Sequence, residues 1–592
     1  MEFTLRYNLS YEFPFLDPSL QPWEPTIESG EYIARTDRSG RWCARIINPG
    51  VNCDQDNVTR GGDNLTPLYE MSLAHYRDRM NVPSSDYFCR GAKGDCRRSW
   101  ARQSSGALQC RIPKSGDQPF QHAYNGSSFA TKFHGGASML FNDATFQSFV
   151  SKRPIAVMAQ LALGRLLDAN VVDRIFQETS ERQYHRKLLF SSITDVLSAV
   201  VMSKHASVNA AYKKMKEKVG VSLNGLYQKL DRVEPGISQA LVRHSYQQVL
   251  AIRKDLGGNP RHEVSGYRTL IFDGNHLSGT EHRLSETRDI TAAPLPGKSL
   301  VVLDPRHQAI ADYFPIEDGH AQERSALDAL LTTVKAFDLW IGDRNFCTLK
   351  PIFHIDAMKA AFVIRHHKKL VGNSLGRRYK VGKSETGMVY ERTMVVSYQG
   401  QSLTLRRIEV ELKEPTRDGS KTLVILTNLP VESADAIKIA ELYRTRWKIE
   451  TAFQTLTVSM NCEIKTLCYP KAALLTFALA LVAYNALAMV KAAIACQHGR
   501  EAASQMSHHY MALEIAETTD GMLVALELQR WLDLVVLPVE KFNQLMRTVA
   551  DAIDLDVYRK AVRGPKKKKT KKKHQKRVVH VSSAKIIAAR KQ

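Results

Sequence analysis

Closely spaced cysteine pairs are missing from this 592-residue chain: its nine Cys stand at irregular intervals and no two form a CxxC. Structural zinc sites are built on such pairs. A zinc cluster is therefore disfavoured, although Cys43, Cys53, Cys89, Cys96 and Cys110 crowd into the first 110 residues. The odd count without fixed spacing reads as reduced thiols in a cytosolic protein. The N-terminus also lacks the basic stretch and apolar core that open a secretory leader. Acidic residues are short as well, with 60 Asp and Glu against 83 Lys and Arg and a formal net charge of +23. Arg563–Gln592 contains 13 Lys/Arg and no acid, which leaves +10 on the preceding 562 residues. A moderately basic body with an extremely basic end points to a polyanionic partner.

What is present is an ordinary globular composition, 44% hydrophobic, in a chain long enough for three or four domains. The first 150 residues stand apart. They are rich in Gly, Ser, Asn, Asp and Pro, show no sustained period, and read as a poorly structured extension. Met139 and Met158 are in-frame alternatives as a natural start. From Ser151 the pattern turns helical, with amphipathic runs at Ile155–Leu167, Val171–Phe176 and Leu188–Met202. Ser207–Lys218 carries four lysines, and Ser222–Leu230 follows Gly220. A helix–turn–helix with a basic unit suits contact with a DNA backbone, and a plain helical bundle with a solvated Lys face suits the same residues.

Tyr267–Phe346 reads as α/β, with strands at Thr269–Phe272, Ser299–Leu303, Ala309–Pro315 and Asp338–Ile341 and a helix at Gln322–Val334. Two of these strands run into a carboxylate, TLIFD at Asp273 and DLWIGD at Asp343. Gly274 and Gly342 beside them would let a phosphate backbone come close. Asp304 and Asp312 are read as structural or solvent-facing. Phe353–Pro430 is strand-rich, with a basic segment from His366 to Lys380 and Tyr379 and Tyr390 as possible stacking surfaces. Ala472–Ala495 is apolar over about the length of a membrane span, but Tyr484, Asn485 and Lys491 interrupt it, so it reads as a buried core helix. Gly499–Ala561 is again helical. Lys566–Arg577 is a basic run with the look of a nuclear import signal or, more simply, of a DNA-binding tail.

The most informative run is ELYRTRWKIE, Glu441 to Glu450. Tyr443, Arg446 and Glu450 lie at i, i+3 and i+7 and share one face of a helix. Two strands and this helix can gather Asp273, Asp343 and Glu450. Converging carboxylates need cations between them, and oxygen-only ligands suit Mg²⁺ or Mn²⁺, which favour phosphate oxygens.

Asp273, Asp343 and the Tyr443/Arg446/Glu450 spacing resemble the catalytic signature of bacterial DDE transposases of the insertion-sequence-four family. The family has a Lys seven residues after the Glu; here that residue is Thr457, and the nearest downstream Lys is Lys465. The resemblance covers roughly Ser151 to the C-terminus. It implies an α/β ribonuclease-H-like catalytic core with a β-rich insertion domain, flanked by helical N- and C-terminal regions. The expected organisation is an extension at 1–150, a helical DNA-binding region at 151–260, the core at 261–350 and 433–498, the insertion at 351–432, a helical region at 499–562 and a disordered basic tail at 563–592.

The resemblance further implies two Mg²⁺ (or Mn²⁺) ions held by Asp273, Asp343 and Glu450. It implies double-stranded DNA, both transposon ends and target, as partner and a homodimer in the synaptic complex. Tyr443, Arg446, Arg344 and Lys448 are the candidate DNA contacts. Relatives that form a DNA hairpin hold a flipped base with an aromatic wedge, but no Trp lies between Trp340 and Trp447. The expected setting is the bacterial cytoplasm, at the nucleoid and not in a membrane. A transposase remnant that binds DNA without cutting it is the alternative expectation.

Overall fold

The computed structural model describes residues 2–8, 29–36 and 42–47 by their backbone, and 143–182, 187–256, 262–416, 419–561 and 579–590 in full. The chain divides into two units, Met1–Asn125 and Gly126–Gln592. In the first, β1 (Glu2–Asn8), β2 (Ser29–Thr36) and β3 (Trp42–Ile47) form an antiparallel meander. Of this sheet only β1 shows a period in the sequence, with Phe3, Leu5 and Tyr7 alternating with Thr4 and Arg6, a run too short to stand out in the first 150 residues. The remainder of the expected 1–150 extension, up to Phe141–Asn142, lies outside the described residues.

The second unit begins with helices. These are α1 (Ala144–Lys152), α2 (Pro154–Leu166), α3 (Ala169–Thr179), α4 (Phe190–Val201), α5 (Val208–Lys214), α6 (Lys216–Val219), α7 (Leu223–Leu230) and the long α8 (Pro235–Asp255). Their boundaries follow local chemistry. Asp143, Asp168, Ser207 and Ser222 cap four of them by accepting from backbone N–H groups of the first turn. Pro154 and Pro235 open two others, and Gly220 ends α6 with φ +66°.

The strands that follow build one mixed sheet. They are β4 (Arg268–His276), β6 (Lys298–Asp304), β7 (Ala309–Ile316), β8 (Asp338–Gly342) and β9 (Ala361–Arg365), with the short β5 (Ala293–Leu295) outside it. The order β7-β6-β4-β8-β9 has an antiparallel half and a parallel half, since β4 pairs parallel to β8 and β8 to β9. The third-second-first-fourth-fifth order is consistent with a ribonuclease-H-like core. The helices α9 (Leu327–Leu331) and α10 (Leu349–Ala357) make the parallel crossovers. Beyond β9 the same sheet continues through β10 (Asn373–Lys383), β11 (Gly387–Tyr398), β12 (Gln401–Leu412) and β13 (Thr422–Thr427). The strand-rich stretch expected as an insertion thus shares its hydrogen-bond ladder with the core, β13 pairing antiparallel to β9.

After β13 come α11 (Ala436–Arg444), α12 (Trp447–Ser459) and α13 (Pro470–His498). Among the described residues helix α13 is one of two segments long and apolar enough to cross a membrane, Pro154–Thr179 being the other, yet 94% of its most apolar window is buried inside the fold. The residue that interrupts its apolar run, Asn485, is fully buried. Its Oδ1 accepts from Ile310 N at 2.7 Å, and its Nδ2 donates to Ile310 O and Ser245 Oγ. Ile310 borders the register shift in β7, the edge strand of the sheet, and Asn485 satisfies its backbone N–H and C=O.

The chain ends with α14 (Arg500–Gln505), α15 (His508–Ala525), α16 (Leu528–Val535), α17 (Val539–Asp551), β14 (His580–Ser582) and α18 (Ser583–Ala589). The expectation of a disordered tail over 563–592 is corrected for its last part. β14 pairs parallel to β5, Ser582 Oγ donates to Asp318 at 2.6 Å, and the Arg590 guanidinium grips Glu286 with two bonds of 2.5 Å. Lysine density hides this anchor, because the residues at its strand pairing carry no Lys or Arg. Lys566–Arg577 lies outside the described residues.

Candidate active site

Strand periodicity puts the first two carboxylates on one face. Leu270 and Phe272 of β4 enter one core and Ile271 the other, and likewise Trp340 of β8 enters the first and Leu339 and Ile341 the second. Asp273 and Asp343 follow in the same alternation and face the side of Ile271 and Ile341. In the parallel ladder Ile271 is level with Ile341. The two Asp residues are each two positions further on, Asp273 still within β4 and Asp343 just past the end of β8.

The third carboxylate comes from the α11–α12 junction. The sequence suggests one continuous helix; the structure breaks it at Thr445–Arg446. There Thr445 N donates to Leu442 O and Arg446 N to Tyr443 O, bonds of the tighter three-residue kind. Three residues then make a full turn, which brings Arg446 into line with Tyr443. Glu450 falls in the first turn of α12, where a carboxylate is favoured by the helix dipole.

Arg446 ties these parts together. Its Nη1 donates to Asp273 Oδ2 at 2.9 Å and its Nη2 to Glu450 Oε1 at 2.5 Å. Tyr443 OH donates to Asp343 Oδ1 at 3.2 Å. The guanidinium also lies 5.3 Å from the Trp447 ring centroid. Burial pushes the Asp273 carboxyl up to about 7; Arg446 and the Gly274 N–H oppose this, while Asp343 and Glu323 add to it. Burial and the Asp343 carboxylate raise the Tyr443 phenol well above its ordinary range. Burial works against the charge on Arg446, and Tyr443, Asp273, Asp343 and Glu450 together outweigh it, so the guanidinium pKa is raised.

Among the described residues no three His, Cys, Asp or Glu side chains stand in metal-holding geometry. The donor chemistry nonetheless fits a hard divalent cation: the converging groups are carboxylate oxygens, and a cation, the Arg446 guanidinium, already bridges two of them.

The other expected residues are placed less centrally. Arg344 is exposed beside Asp343, and Lys448 is exposed with its Nζ donating to Glu263 at 3.0 Å. Thr457 is exposed and donates to Phe453 O of its own helix. Asp304 and Asp312 are structural but not solvent-facing. Asp304 accepts from Tyr246 OH at 2.6 Å, and Asp312 accepts the Arg243 fork at 2.9 and 2.8 Å.

The structure adds Glu323 to the site. It stands directly over Gly274, where an added Cβ would meet its Cδ at 2.2 Å, and Asn345 Nδ2 donates to it at 2.8 Å. Gly274 therefore admits a glutamate, and Gly342 admits the Phe272 ring, which a Cβ would meet at 2.6 Å. These packing needs account for both glycines within the fold. The one sequence signal for Glu323 is a carboxylate opening the segment before α9. Trp447, 60% exposed beside Arg446, is a second addition.

Residues 265–486, 222 of the 592, match the family described as Transposase DDE domain. That match spans the sheet, α11, α12 and most of α13, and with it all three carboxylates. It supports a DDE transposase, a class of DNA nucleases and strand transferases that generally use divalent metal ions. No curated protein matches the chain.

Proposed function

We propose that this protein is a transposase that binds the ends of an insertion sequence and performs metal-dependent DNA cleavage and strand transfer. The observation that carries this reading is the meeting of distant residues. Asp273 lies within β4 and Asp343 directly follows the adjacent parallel strand β8, and Arg446 joins Asp273 to Glu450. The insertion-sequence-four subgroup and its Tyr-Arg-Glu signature belong to the same proposal.

In this mechanism Asp273, Asp343 and Glu450 would hold two Mg²⁺ or Mn²⁺ ions. When bound, such ions supply Lewis acidity at a phosphate and a nucleophilic oxygen at neutral pH. The chain's own groups do the rest. The Arg446 fork turns from the carboxylates to the non-bridging oxygens of the scissile phosphate, which it matches in shape and charge. The Tyr443 hydroxyl stays protonated at all working pH values and orients Asp343. Arg344 and the Lys448 ammonium are peripheral backbone contacts, and the exposed Trp447 ring is a surface for a splayed base. The helices α5–α7 and the Lys566–Arg577 run add salt-sensitive affinity. Two copies act together, one on each end of the element, in the bacterial cytoplasm.

The test is cleavage of a supercoiled plasmid carrying the inverted repeats that flank the gene. Wild type should nick it with Mg²⁺ or Mn²⁺ and not with EDTA. Asp273→Asn, Asp343→Asn and Glu450→Gln should each lose at least a thousandfold while still shifting end DNA in a gel. Retained cleavage by Asp273→Asn would remove the assignment.

A further inference from the structure

A second polar site lies at the other end of the sheet. β6 runs antiparallel to β4, so the turn after Asp304 sits where β4 begins, away from Asp273. Here the C-terminal turns of α8 and α13 meet α14 around a cavity of about 180 Å³. It is lined by Arg253, Arg306, Lys491 and Arg500, with Ser504 and Cys496 beside them, and among the described residues no carboxylate lines it.

Four cationic side chains around one small space repel one another; Lys491 is deeply placed and Arg253 half-buried. Lys491 is 6% exposed, and its Nζ has one long contact, 3.4 Å to Met506 O. Burial, with Lys560 nearby, pushes its pKa down to about 7. Arg253 Nε is buried with no hydrogen-bond partner, and burial pushes that guanidinium down to about 10, with Asp304 partly opposing. A cation taken out of water without a paired counter-ion is strongly destabilising. The carbonyl ends of α8 and α13 offset only part of that. A core helix could have carried Leu or Met at position 491 without this cost.

We infer that this cavity is a binding site for a small phosphate-bearing anion, inorganic phosphate or diphosphate in its simplest forms. Arg253, Arg306 and the exposed Arg500 supply guanidinium donors, one Nη of Arg306 also facing His262 Nε2 at 3.1 Å, and Lys491 supplies a buried point charge. The cavity is smaller than the roughly 300–1,000 Å³ that drug-sized ligands occupy, which suits an anion of a few heavy atoms. Charge-assisted bonds from three or four cations are the strong kind.

The inference is separate from the proposed chemistry, and so is its test. Full-length protein in EDTA is titrated with inorganic diphosphate, followed by calorimetry and thermal unfolding, with sulfate at matched ionic strength as control. Wild type and Asp273→Asn should both bind saturably and gain thermal stability. Arg500→Gln, an exposed change that keeps the fold, and Lys491→Met should each weaken binding at least tenfold. No saturable binding, equal binding by these variants, or an equal effect of sulfate would overturn the assignment. Displacement of diphosphate by a short duplex in wild type but not in Arg500→Gln would make the occupant a DNA phosphate and overturn the small-anion reading.

Discussion

The Arg446 guanidinium donates to the Asp273 carboxylate at 2.9 Å across 173 residues of sequence. This bond joins the first strand of the core to the turn between two late helices. Both side chains are largely shielded, 10% and 18% exposed. Arg446 therefore does here what a divalent ion would do: it neutralises carboxylates that would otherwise repel.

Removing it should be felt first as stability. Arg446→Gln leaves Asp273 and Glu450 without their shared cation, at an expected cost of about 3 kcal/mol in EDTA. Mg²⁺ should restore the thermal midpoint of this variant by more than it raises that of wild type, because the space is then open to the ion. Arg446→Lys keeps the charge but loses the fork and should fall between. Thermal unfolding with and without Mg²⁺ reads all three. Identical Mg²⁺ responses in wild type and Arg446→Gln would mean that ion and guanidinium do not compete.

Asp273 should also set a pH dependence. Its carboxyl moves from 3.8 in the unfolded chain to about 7 in the folded protein. The folded state therefore holds more protons between those values, and stability in EDTA should fall as pH rises from 4 to 7. At full strength the loss is about 4 kcal/mol. Saturating Mg²⁺ should reverse the trend, since the ion requires the ionised carboxylate. Urea unfolding of wild type and Asp273→Asn at several pH values checks this. In EDTA the two curves should converge toward acid, and parallel curves would refute it.

Asp273 and Asp343 are legible as candidates because apolar runs of strand length lead into them, and Glu450 because it shares a helical spacing with Tyr443 and Arg446. Period-2 alternation then assigns the faces. The helix break at Thr445–Arg446 is not legible, since nothing in TRW forbids a helix and the tighter turn is set by the carboxylates that Arg446 must reach. The sheet shared by β8 through β13 is hidden for a related reason. Pairing partners such as Thr427 and Val363 are far apart in sequence, and strand propensity does not say which edge a strand joins. Gly274 stands out in the sequence, but a missing Cβ tells of a close neighbour and not which one, so Glu323 is not legible from it.

Gly274 and Glu323 should behave as a coupled pair. Gly274→Ala drives a Cβ into the Glu323 carboxyl and breaks its bond from Asn345, at an expected cost of about 1–3 kcal/mol. Glu323→Ala removes a partly exposed group and should cost little. The double variant should regain at least half the stability lost in Gly274→Ala, and the coupling is read by a double-mutant cycle in urea. A cycle that closes additively would show that the glycine answers to something other than Glu323. Were the glycine needed for DNA approach instead, the double variant would fold well yet still fail to cut.

The basic end of the chain should separate into two functions by deletion. Excising Lys566–Arg577 and joining the ends with a Gly/Ser linker of equal length removes nine cations and leaves the β14–β5 pairing, the Ser582–Asp318 bond and the Arg590–Glu286 fork available. Stability should be unchanged. DNA affinity should drop, and the slope of log affinity against log salt should become shallower, by roughly 0.9 for each phosphate no longer neutralised. Truncation after Arg577 does the reverse. It keeps the lysines but strips β5 of its strand partner and removes the Arg590 fork from Glu286 and the Ser582 and Lys585 contacts from Asp318, so unfolding should come earlier and proteolysis should enter between Leu277 and Leu295. Limited proteolysis with mass spectrometry, beside salt titrations of DNA binding, distinguishes the two. If the truncation left proteolysis unaltered, the docked C-terminal segment would not be holding that loop.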